Sequence, residues 1–232
     1  MNIEARPYPF ALSTEVAALV IIDMQRDFLQ PGGFGSALGN DVGQLAKVVA
    51  PTQRLLAAAR DAGLLVIHTR EGHRPDLADL APAKHRRGRA SLRIGDRGPM
   101  GRILVRGEPG HEIVPELSPL PGEPVVDKPG KGSFYATDLE LILRCRGIEQ
   151  LILCGVTTEV CVNTTAREAN DRGFECLVVS DCTGSYFPEF HTQALEMIQA
   201  QSGVVGWVAP SAAIIPALAA PAAGLRQRSA PP

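Results

Sequence analysis

The chain has 232 residues, 45% of them hydrophobic, and sets 23 Lys and Arg against 25 Asp and Glu for a formal net charge of -2. Such a chain can bury one large core, so a single domain over 1–232 is expected, and its balanced charge gives no footing for nucleic acid or an anionic membrane surface. No apolar run is long enough for a membrane span, the opening MNIEARPYPF lacks the apolar stretch of a leader, and five cysteines without a CxxC pair indicate reduced thiols, so a cytoplasmic protein is expected.

After an N-terminal arm, 1–14, the run AALVII at 17–22 has the apolar continuity of a strand buried on both faces, and it stops at Asp23. An acid at the carboxyl end of such a strand stands where open parallel sheets place their ligand crevice. Taken alone, it reads equally as a turn or helix-capping aspartate. FLQPGGFG at 28–35 is a turn-rich loop whose glycines and aromatics suit the cover of a pocket. Helical spacing follows over 41–62, with Pro51 splitting the stretch or starting its second half, and Gly63 ends it.

A second strand is expected at 64–67, leading into HTREGHRPD and a basic, glycine-rich region reaching to about 110 that reads as a solvated or subunit-contact surface. Glu71 and His73 have the spacing of a metal-binding pair, but only His85, His111 and Asp76 are nearby as further ligands, so they are read as a polar loop pair. Val125 and Val126 form a short strand ending at Asp127 and Lys128. Thr137 with Glu140 has the spacing of a capping box for a helix over 138–146.

The chain is organised around LILCGVTTEVCVNTTAREANDRG, 151–173. A buried strand at 151–154 ends at Gly155, and a helix is expected from near Thr158, with Thr157 or Thr158 as its cap and Gly173 just past its end. Cys161 then lies in the first turn, where free amides and the helix dipole favour a thiolate. Composition alone would make it a small buried apolar residue; the strand-to-helix turn makes it a candidate nucleophile. Further strands at 175–180 and 204–208 alternate with helices at 190–201 and 211–220, before a tail at 221–232 expected to be disordered. The alternation implies a parallel sheet covered on both faces, in which Asp23, Lys128 and Cys161 meet at neighbouring strand ends.

Three stretches, IIDMQRDF at 21–28, DKPGKGSF at 127–134 and GVTTEVCV at 155–162, together resemble the isochorismatase-like cysteine hydrolases, and HTREGHRPDLADL and TTAREANDRGFECL add similarity to the biuret-hydrolysing branch. The resemblance implies a three-layer αβα fold around a six-stranded, mostly parallel sheet, in a homo-oligomer with a tetramer favoured. It places the catalytic triad on Asp23, Lys128 and Cys161, a cis peptide between Val156 and Thr157, and an oxyanion hole on the amides of Thr157 and Cys161. Phe28, Lys131, Phe134 and Gln201 match the branch's substrate contacts. The implied reaction is hydrolysis of biuret to urea-1-carboxylate and ammonia through a thioester, with N-carbamoylsarcosine or ureidoacrylate as alternative substrates and a non-catalytic scaffold as a remote one. No cofactor is implied. Glu71-Gly72-His73 only partly echoes the metal motif of the nicotinamidase branch, so no metal is expected.

Overall fold

Six parallel strands make the central sheet: β1 (Ala17–Ile22), β2 (Leu65–Glu71), β3 (Val125–Lys128), β4 (Gln150–Val156), β5 (Glu175–Gly184) and β6 (Trp207–Ala209), in spatial order β6-β5-β4-β1-β2-β3. The computed structural model describes residues 1–88 and 90–219, so the tail expected at 221–232 lies outside the described residues. The chain starts in the middle of the sheet, works outward through β2 and β3, and returns to the other side of β1 with β4. The carboxyl ends of β1 and β4 therefore feed loops that leave in opposite directions, and a crevice opens between them.

Every residue of β1 and of β4 is buried, as their apolar continuity predicts for central strands covered on both faces. On one face Leu19, Ile21, Ile152 and Leu177 pack with Leu55 and Leu56 of α1 (Val49–Asp61) and Ile214. On the other, Val20, Ile22, Leu151 and Leu153 pack with Leu139 and Leu143 of α2 (Leu139–Cys145), Ala166 of α3 (Asn163–Asp171) and Ile198 of α4 (Pro188–Gly203). Each such Leu or Ile contributes about 1.5–3 kcal/mol by leaving water. Ile214 belongs to α5 (Ser211–Ala219). The N-terminal arm is tied down: Asn2–Ile3 pairs with Phe10–Ala11, and Phe10 packs on Trp207 with ring centroids 5.0 Å apart.

Pro51 starts the second of two helical segments, as expected: it falls in the first turn of α1, after a separate short helix at Val42–Ala46. Two elements differ from expectation. α2 has no side-chain cap from Asp138; Thr137 Oγ1 accepts the Leu139 N–H at 3.3 Å, while Glu140 turns away to Arg172 at 3.1 Å, so the capping box does not close. β2 continues four residues past Ile67, because the buried His68 and Thr69 find partners in Glu123 and Asp23, at 3.0 and 2.7 Å.

Candidate active site

Asp23 is the first residue beyond β1 and takes a left-handed conformation, φ 52°, which aspartate tolerates better than most residues. Its N–H donates to Thr69 O at 3.1 Å, and its Oδ1 accepts the Thr69 hydroxyl at 2.7 Å, so β2 fixes its orientation. Lys128, at the end of β3, places Nζ 2.8 Å from Asp23 Oδ2, both side chains being fully buried. The lysine donates to the carbonyls of Gly130 and Lys131, at 2.9 and 2.8 Å. Oδ2 thus feels the ammonium charge while no donor among the described residues is aligned on it, which leaves a lone pair open to a proton.

The third group comes from β4. Gly155 has φ 114°, and a Cβ there would stand 2.0 Å from Ile22 O, so only glycine lets β4 pass this close to β1. The Val156–Thr157 peptide is cis, as the resemblance implied. The chain then enters a wide turn, Thr158–Val162, with π-helical rather than α-helical geometry: Val162 N–H reaches back to Thr157 O at 3.2 Å. Thr158 caps nothing with its side chain; its hydroxyl meets His191 Nδ1 of α4 at 2.9 Å. Cys161 is in this turn, 5% exposed, and the Thr157 N–H has no intramolecular acceptor among the described residues.

Cys161 lies at the wall of a cavity of about 210 Å³. Its polar end is formed by Cys161, Thr157, Glu71 and Lys131, and its apolar end by Phe28, Phe34, Leu38 and Tyr186. That volume is below the usual range for drug-sized ligands and suits a small molecule. The loop 28–35 does supply aromatic walls: the Tyr186 hydroxyl donates to Phe28 O at 2.8 Å, and at Gly35 a Cβ would stand 2.0 Å from that hydroxyl.

Charge in the site corrects one expectation. The Cys161 thiol is pushed well up, first by burial and then by the Asp23 carboxylate, effects that Lys128 and Lys131 only partly offset. The resting group is a thiol, because desolvation outweighs whatever the turn's amides offer a thiolate. Asp23 is itself raised, burial exceeding the pull of Lys128. Burial would lower Lys128, but Asp23 foremost, then Cys161 and Glu71, raise it, so it stays cationic.

Glu71 was read as a loop residue and is a wall of the site. It ends β2 in register with Lys128, is 1% exposed, and holds Lys131 Nζ at 2.6 Å on Oε1 and Cys161 Sγ at 3.6 Å on Oε2. Phe134 and Gln201, expected to touch substrate, do not line the cavity. Phe134 is core: its ring packs on Phe174 with centroids 5.8 Å apart, under Arg172, because Glu168 takes the Phe134 N–H at 3.0 Å and turns the loop inward. Gln201 is exposed at a break near the end of α4, φ 51°, just before β6 and so at the amino ends of the strands, opposite the site. His73 does not line the cavity either; its Nδ1 lies 3.2 Å from Asp79 and its Nε2 3.3 Å from Lys84 Nζ.

A family model described as the isochorismatase domain matches residues 17–210. The ureidoacrylate amidohydrolase RutB of Yersinia enterocolitica is 33% identical over 198 residues, covering 84% of this chain and 86% of that protein. RutB of Methylobacterium radiotolerans is 34% identical over 224 residues, 94% of this chain and 85% of that one. Among solved structures, a cysteine hydrolase from Pseudomonas syringae superposes with a TM-score of 0.77 at 28% identity, over 90% of this chain and 95% of its own. N-carbamoylsarcosine amidase from Thermoplasma acidophilum superposes at 0.63 with 26% identity, over 84% of this chain and 96% of its own.

Proposed function

The chain belongs to the isochorismatase family, and from that premise we propose that it is a cysteine-dependent amidohydrolase opening a C–N bond of a small ureido compound. The observation that carries this reading is a thiol at the wall of one small cavity, with a buried Asp23 oxygen within 4.8 Å of its sulfur and the buried Lys128 ammonium 2.8 Å from that carboxylate. In the first step Asp23 Oδ2 takes the Cys161 proton as Sγ bonds to the carbonyl carbon and the C=O π electrons move to oxygen. The N–H groups of Thr157 and Cys161 meet that oxygen, a contact worth about 3 kcal/mol per donor in comparable sites. Asp23 then passes its proton to the leaving nitrogen as the C–N bond breaks. The thioester that remains is opened by a water from which Asp23 takes the next proton, and as the S–C bond breaks that proton returns to Sγ, restoring the thiol and the carboxylate. Lys128 holds Asp23 in place throughout and never needs to lose its charge.

Ureidoacrylate is the first compound to test, since proteins of that name share a third of this sequence over most of its length. Biuret, the substrate suggested by the sequence motifs, loses one support, because Gln201 stands at the amino ends of the strands, away from the cavity. It keeps another: Glu159 lines the cavity with a buried Oε2 that has no donor among the described residues, which suits an uncharged, N–H-rich molecule better than a carboxylate. A panel of ureidoacrylate, N-carbamoylsarcosine, biuret and a simple amide, read by amine and ammonia release, separates these readings. We expect turnover of a ureido compound and a loss of roughly 10⁴-fold or more in Cys161→Ser. Retained activity in the serine variant, or no turnover of any ureido compound, overturns the proposal.

A further inference from the structure

The triad leaves one group at the sulfur unexplained. Glu71 Oε2 is the acceptor of the Cys161 S–H at 3.6 Å, and one oxygen from each of Asp23 and Glu71 lies with Sγ in a cluster spanning at most 4.8 Å. A buried carboxylate beside a nucleophile carries a large desolvation cost, and it persists here because Lys131 stands on its other oxygen at 2.6 Å. The site therefore holds two carboxylate–ammonium pairs, Asp23 with Lys128 and Glu71 with Lys131, each with a carboxylate oxygen within 4.8 Å of the sulfur. Only Glu71 of the two carboxylates also lines the cavity.

We infer that Glu71 is a fourth catalytic residue: its Oε2 holds the Cys161 S–H in the resting enzyme and, once Asp23 has taken that proton, accepts an N–H of the substrate's carbamoyl group. No net proton moves to Glu71. The S–H bond breaks toward Asp23 Oδ2, the S–C bond forms, and the Oε2 lone pair freed by the departing proton takes up the N–H of the amide nitrogen that stays on the reacting carbon. This fixes the carbonyl carbon over Sγ. Lys131 is then a positioning residue, keeping Glu71 ionised and in place. The charges fit: burial would raise Glu71, but Lys131 and Lys128 outweigh it and the carboxyl stays below its usual range. The other groups facing Glu71 are Asp23, Lys84 and His73.

The substrate half of this inference rests on the amidohydrolase reading, whereas the thiol half does not, so two readouts separate their failures. The first is kcat/KM for the best ureido substrate, which should fall about 10- to 100-fold in Glu71→Gln, the range of a lost hydrogen bond to a charged group. The second is the pH profile of Cys161 alkylation by iodoacetamide, followed by mass spectrometry, whose midpoint reports thiol ionisation rather than access. Removing the Glu71 charge leaves Lys128 and Lys131 facing the thiol, so the midpoint in Glu71→Gln should move down. In Lys131→Met it should move up. A purely structural role would move neither. Wild-type kcat/KM or an unmoved midpoint in Glu71→Gln overturns the inference. Should circular dichroism show that Glu71→Gln does not fold, Lys131→Met decides alone: a raised midpoint supports the inference and an unmoved or lowered one overturns it.

Discussion

Asp23 and Glu71 stand beside one sulfur, and burial acts on them in the same direction, yet they end on opposite sides of their ordinary values. Asp23 is raised because burial exceeds the attraction of Lys128, whereas Glu71 is lowered because Lys131 and Lys128 together exceed burial. A pair of carboxyls pushed apart in this way divides the work, the raised one carrying protons and the lowered one staying charged. The same residues argue that no metal is needed. The cluster of Asp23, Glu71 and Cys161 has donor types that suit a divalent ion, but an ammonium already lies 2.8 Å from the first and 2.6 Å from the second. A metal would have to displace both and would leave the fully buried Lys128 without its counter-ion, a cost of several kcal/mol. Dialysis against a chelator is expected to leave turnover unchanged; loss of activity restored by zinc or manganese would refute this. Asp23, Lys128 and Cys161 were legible in the sequence because each follows a short apolar run that ends abruptly. Glu71 was not, since His68 and Thr69 make the end of β2 look like a loop and only their tertiary partners show otherwise. Gln201 misled for the converse reason: a motif position was read without the break at the end of α4 that turns it outward.

Among the elements, the crossing from β1 to β4 decides whether the site exists at all. Gly155 sits where β4 touches β1, and any side chain there meets Ile22 O while also holding φ at 114°. Gly155→Ala should therefore lose about 2–5 kcal/mol, overpacking added to a strained backbone. Gly147 is the control, with φ 64° and nothing within 4 Å of the added Cβ. There the loss should be about 1–2 kcal/mol, the cost of a left-handed conformation alone. Denaturant midpoints for the two variants test this, and equal losses would mean that β4 can move away from β1 without cost. The strands, and a parallel sheet covered on both faces by helices, were readable from apolar runs alternating with helical spacing. The geometry of Thr158–Val162 was not. Its residues look like an ordinary first helical turn, and what widens it is backbone: the Val162 N–H bonds Thr157 O, while the Thr158 hydroxyl is taken by His191 rather than by the helix. A periodicity argument has no access to either bond.

Over the whole molecule, the histidines set how the fold responds to acid. Four of the five, His68, His73, His111 and His191, are lowered from the ordinary 6.5, in each case first by burial, and His111 is brought down to about 4. His68 is fully buried with Nε2 on Glu123 at 3.0 Å and Nδ1 without a partner among the described residues, and His111 is fully buried with Nε2 3.5 Å from Asp127 Oδ1 and neither nitrogen hydrogen-bonded among the described residues. The sign follows from proton counts. Below pH 6.5 the unfolded chain binds more protons on these rings than the folded chain does, so stability falls as pH falls, for His111 down to about 4 where it titrates in the fold. Each fully buried ring can contribute up to about 1.4 kcal/mol per pH unit in that window. The carboxyls act differently: raised Asp23 and Asp27 bind protons in the fold at a pH above 3.8 and so act in the opposite sense there, and Glu123, lowered to about 2 by Arg60 and its other partners against the effect of burial, costs stability only below about 4.5. Destabilisation by the histidines should therefore begin near pH 6.5, above the pH at which Glu123 contributes. Tm measured from pH 7.5 to 5 should fall steadily. His68→Gln, which keeps an N–H for Glu123 but cannot take a proton, should make that fall shallower. A flat Tm across this range, or an unchanged slope in His68→Gln, would show that these rings exchange protons with solvent as freely in the fold as in the unfolded chain.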